Sequence, residues 1–160
     1  MLKRILLVLL AAFVVAQFIR PDRTVPAIDP TKDMLTMTGA PPEVRQLVVG
    51  ACYDCHSYTT TYPWYAAITP VNYIMQDHIN EGREHLNFSL WDTYATDKHA
   101  GEAGKVLQDG EMPPGYYRLM HGHGRMSDAD KQKLVAWFNA NLGSEGGGGM
   151  GTEAEEGEEH

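Results

Sequence analysis

The 160-residue chain has only two cysteines, Cys52 and Cys55, and they lie three apart. A loop that short staples nothing useful, so a disulfide framework is excluded. Basic residues are also scarce, 13 Lys and Arg against 21 Asp and Glu, for a net charge of −8. No run alternates apolar and polar residues as a half-buried strand does, so sheet architectures are not expected, and no repeat suggests a solenoid. Only one long apolar stretch occurs, Ile5 to Ile19, interrupted by Gln17. Charge is unevenly spread. Gly143 to His160 holds six glutamates and no Lys or Arg, and the first 19 residues hold only Lys3 and Arg4. The remaining body therefore carries 11 basic and 15 acidic residues, a net of −4. Such a body lacks the basic footprint that a phosphate backbone requires, which argues against nucleic acid as a partner, and its mild acidity suits steering of a basic protein.

The apolar stretch reaches roughly 22 Å as a helix, against a hydrocarbon core of ~30 Å. A basic start, an apolar centre and small Ala16 fit a signal peptide, whereas Phe18 and Ile19 running into Arg20 fit a short membrane anchor. Both readings put residues beyond about 20 outside the cytoplasm, on the periplasmic side of the membrane, because Lys3 and Arg4 stay inside. Residues 1–20 are thus expected as a signal or anchor helix. Residues 21–40 are expected as a tether, since Arg20 to Pro42 contains five of the nine prolines.

A folded body is expected over 41–142. Pro41 and Pro42 open a helix with Val44, Leu47, Val48 and Ala51 on one face, which delivers Cys52 at its end. Val71, Ile74, Met75, His78 and Ile79 mark a second helix, with Gly82 as its stop. Ser89 with Asp92 resembles a capping box opening a helix from Leu90 to Leu107 that ends at Gly110, and Ser127 with Asp130 repeats the pattern before a last helix bearing Leu134, Trp137 and Phe138. Residues 143–160, rich in Gly and Glu, are expected to be a disordered tail.

Cys52-Tyr53-Asp54-Cys55-His56 reads C-x-x-C-H, the attachment signature of c-type haem. Two thiols one helical turn apart reach the two vinyl groups of a porphyrin, and the next residue offers an imidazole to the iron. A zinc site would need a second ligand pair, and a thiol redox pair would need a βαβ setting; neither is present. The sixth ligand is expected from Met112 in the segment GEMPPG, where two prolines hold the chain extended. Met120 and Met126 compete for that role, and Met75 reads as core filler. His78 and His85 are alternative axial ligands or propionate partners, while His99 reads as a surface residue. Tyr62 and Trp64, close behind the haem motif, are expected as pocket or propionate contacts.

These residues together resemble the haem-binding domain family of small membrane-attached c-type cytochromes. The resemblance runs from about Gln17 to Leu142 and rests on QFIRP at 17–21, CYDCHS at 52–57, YPWY at 62–65, DHINEGREHLNFS at 77–89, GEMP at 110–113, Tyr117, His121 and the stretch 134–137. It implies an all-α, cytochrome c-like domain around one covalent haem c, with His56 as proximal and Met112 as distal ligand. The function expected is electron transfer rather than enzyme catalysis, with protein redox partners, in one form as a subunit of a larger respiratory complex. A haem enzyme or gas sensor with an open sixth position is the alternative.

Overall fold

The computed structural model describes residues 1–142, and the expected acidic tail lies outside them. Among these residues every regular element is helical. Helix α1 (Leu2–Ala16) is followed by a 3-10 turn (Pro30–Lys32), α2 (Met34–Met37), α3 (Pro42–Ala51), α4 (Tyr53–His56), a 3-10 turn (Trp64–Ala67) and α5 (Val71–His85). A 3-10 turn (Phe88–Leu90), α6 (Trp91–Tyr94), α7 (Lys98–Asp109), α8 (Gly115–Met120), a 3-10 turn (Gly122–Gly124) and α9 (Asp128–Asn141) complete the order.

The ends of these helices follow local chemistry. Pro42 sits in the first turn of α3, where its missing N–H costs nothing. Gly110 closes α7 in the left-handed region at φ 80°. Ser127 caps α9 by accepting from the Asp130 N–H at 3.1 Å, while its hydroxyl donates to Asp130 Oδ2. The single helix expected over 90–107 is instead two. Asn87 rather than Ser89 accepts the capping N–H, and Asp97 accepts from the His99 N–H, restarting the chain as α7. Gly82 does not stop α5, which runs on to His85.

The core is assembled by α7 packing on α9, with α3 beneath, around Val44, Val48, Leu107, Leu134 and Phe138. Gly104 lets α7 and α9 approach closely, for a Cβ there would meet Asn139 Oδ1 at 2.0 Å. The segment expected as a tether is built into this body. Met34 and Leu35 are among the most buried residues, Tyr53 donates to Asp33 at 2.8 Å, and Arg45 donates to the Leu35 carbonyl at 2.9 Å. Two apolar residues behind a capping aspartate are too short a pattern to show periodicity, yet they fill the core. The body therefore begins before Pro41. Upstream, the Arg20 and Arg23 guanidiniums donate to the carbonyls of Ala67 and Ala66.

Helix α1 has no buried residue, and its last turn ends at Ala16 rather than continuing to Ile19. No helix among the described residues is long and apolar enough to cross a membrane.

Candidate haem site

The chain bends sharply at Cys52 (φ −124°, ψ −36°), so that α4 starts in a new direction and carries Cys55 and His56. Three contacts fix this short helix. Tyr53 stacks on Phe88 with centroids 5.7 Å apart. Asp54 is buried, accepting from the Tyr117 hydroxyl at 2.8 Å and from the Thr61 N–H at 2.9 Å. Gly82 of α5 lies against the Cys55 backbone, where a Cβ would come within 3.0 Å of the carbonyl oxygen. Glycine in mid-helix costs about 1 kcal/mol relative to alanine, and here it is what lets α5 approach the motif.

Behind α4, Arg83 donates to the Ser57 carbonyl at 2.8 Å and to the Thr60 hydroxyl at 2.9 Å, holding the following loop. The His56 ring donates from Nδ1 to the Leu86 carbonyl at 3.0 Å. That bond sets the tautomer and leaves Nε2 as the free lone pair, the arrangement that orients a metal-binding imidazole. Burial holds His56 below the ordinary histidine value, favouring the neutral form that a metal needs. Burial likewise pushes the Cys52 thiol up to about 12 and the Cys55 thiol up to about 11, so both stay protonated.

Cys52, Cys55 and His56 open onto a cavity of ≈ 460 Å³, within the range of small-molecule and cofactor sites. One wall is α5 through His78, Glu81, Gly82 and His85, and another is α7 through His99, Ala103, Val106 and Leu107. Met112, Pro113 and Pro114 close a third side, with Phe88, Tyr116 and Tyr117 completing the lining. The Met112 loop is tied back to α7, since the N–H groups of Glu111 and Met112 both donate to the Val106 carbonyl, at 3.0 and 3.2 Å.

Four sequence-expected residues thus share one cavity: Cys52, Cys55, His56 and Met112. Among the described residues Met112 is the one methionine that lines it, whereas Met75, Met120 and Met126 do not. His78 and His85 also line it, as does His99, which had read as surface; His85 and His99 rings lie 5.0 Å apart. Tyr62 and Trp64 lie elsewhere. The Tyr62 hydroxyl donates to Gln76 Oε1 at 2.7 Å beneath the Arg23 guanidinium, and Trp64 is 79% exposed. Nearness in sequence misled there, because the turn after Ser57 carries the chain away from the cavity. The sequence reading missed Phe88, Leu86 and the true role of Gly82, and only Gly82, a glycine inside a continuing helical pattern, carried a readable signal.

Two thiols, a neutral imidazole with its outer nitrogen fixed, a thioether and apolar walls form a donor set suited to haem. The fold and the site together define an all-helical haem-binding domain. The family model described as the haem-binding domain matches residues 11–140, and the chain belongs to that family. No curated protein and no solved structure matches it.

Proposed function

We propose that this protein is a single-haem c-type electron carrier, held at the outer face of the cytoplasmic membrane by its N-terminal helix. The observation that carries the reading is the convergence of Cys52, Cys55, His56 and Met112 on one cavity. Cys52 and Cys55 would hold the porphyrin covalently as thioethers. His56 Nε2 and the Met112 thioether would hold the iron. Bound there, haem supplies an iron that changes oxidation state by one electron.

The residues around it keep that change inexpensive. The Leu86 carbonyl holds the His56 ring in one orientation, and two protein ligands on the iron would leave it no open position for a substrate. Methionine ligation favours a higher reduction potential than a second histidine would. Redox proteins are the partners in this reading, met singly or within a respiratory assembly.

The test is the visible spectrum and redox titration of the full chain expressed with haem-attachment machinery. The expected result is a low-spin spectrum with the weak red charge-transfer band of methionine-ligated ferric haem. A high-spin spectrum that shifts on adding carbon monoxide would overturn the carrier reading in favour of an open-site enzyme or sensor.

A further inference from the structure

Trp64 leaves the haem cavity without an assigned role, and so do the residues of the QFIRP segment. The two are neighbours. At the end of α1, Gln17 Nε2 donates to the Thr69 carbonyl at 3.3 Å, and the Thr69 N–H donates back to Gln17 Oε1 at 2.9 Å. The Thr69 hydroxyl donates to the Ala16 carbonyl at 3.2 Å, and Arg20 and Arg23 bind the carbonyls of Ala67 and Ala66. Helix α1 is therefore clamped to the start of α5 and the 3-10 turn before it, across 52 positions of sequence.

Around this clamp several large apolar side chains are exposed. Phe18 and Ile19 are exposed beside it, Trp64 and Ile68 belong to the clamped turn, and Val71 and Ile74 lie on one face of the first turn of α5. Tryptophan is enriched at membrane–water interfaces, where an apolar ring with one polar edge is well placed. A helix of 15 residues falls roughly 8 Å short of the hydrocarbon thickness. An apolar rim held rigidly at its outer end supplies the missing depth.

We propose that this rim, centred on Trp64 and Ile74, sits in the interfacial layer of a lipid bilayer, so that the haem domain is seated on the membrane in one orientation instead of swinging on a tether. The inference rests on the membrane attachment proposed above, and its occupant is the lipid surface.

The experiment uses the full-length, haem-loaded protein, whose own thiols are consumed in thioethers, so that a single added thiol takes a nitroxide label. Trp64→Cys, Ile74→Cys, Val8→Cys in α1 and Lys133→Cys on exposed α9 are labelled and placed in vesicles of phosphatidylethanolamine and phosphatidylglycerol. The expected result is loss of broadening by a water-soluble nickel chelate, with gain of broadening by oxygen, at positions 64, 74 and 8 but not at 133. If position 8 is shielded and positions 64 and 74 stay open to nickel, the seated domain is wrong and the membrane attachment stands. If position 8 is open as well, both fall.

Discussion

The two sides of the haem cavity are built on different principles. On the His56 side, side chains do the holding: Asp54 grips Tyr117 and Thr61, His56 grips Leu86, Arg83 grips the following loop, and Gly82 presses on Cys55. On the Met112 side, two backbone N–H groups share one carbonyl, Pro113 is buried, and Met112 is 41% exposed. The contrast teaches that, in the proposed carrier, the packed side would fix where the porphyrin is attached, while the proposed distal ligand rests on a short strap.

The largest test is the double substitution Cys52→Ala with Cys55→Ala, which should leave no haem stain on a denaturing gel. A group that binds the folded state stabilises it by mass action, and its loss removes that stabilisation. Circular dichroism should therefore show a lowered melting temperature along with loss of haem. Stained protein would instead break the attachment argument.

Met112→Ala should separate the two sides. Covalent haem and melting should persist, with stability changed by about 0.5 kcal/mol or less, as for exposed positions, while the methionine band disappears and the reduction potential falls. Retention of that band would show that another side chain is the ligand.

Gly82→Ala, on the held side, should cost about 1–3 kcal/mol by overpacking against Cys55, read as a lowered urea midpoint. An unchanged midpoint would mean that the contact between α5 and the motif is slack.

Acid should also discriminate. Burial lowers the proton affinity of His56, so the neutral imidazole is retained below the ordinary histidine value of about 6.5. A spectrophotometric titration should show the low-spin spectrum surviving as pH falls through that value and failing only further down; failure at or above it would place the ring in water. The smallest spectral effect belongs to Tyr62→Phe, which removes one hydrogen bond to Gln76 and should cost about 0.5–1.5 kcal/mol of stability with no spectral change.

Much of the held side was legible beforehand. C-x-x-C-H is a spacing dictated by porphyrin geometry, and Gly110 and the Ser127–Asp130 pair mark helix ends through chemistry confined to a few residues. Met112 was legible for a similar reason, because two prolines announce an extended strap. What was hidden depends on distant parts of the chain. Met34 and Leu35 gave no periodicity, and their burial follows from Tyr53 and Arg45 reaching back to them. Trp64 looked like a haem contact only because it lies eight positions after His56 in the sequence. The break at Asp97 came from competition between two adequate caps, which composition does not decide.

The haem signature leaves two of its letters blank, and in this chain they are Tyr53 and Asp54. Tyr53 reaches back 20 positions to Asp33, and Asp54 meets Tyr117, 63 positions ahead. The spacer between the thiols is thus the knot in which the early and late parts of the polypeptide are tied. A change at Tyr53 loosens the early end and a change at Asp54 the late one, so the motif's least specified letters are the ones that join it to the rest of this sequence.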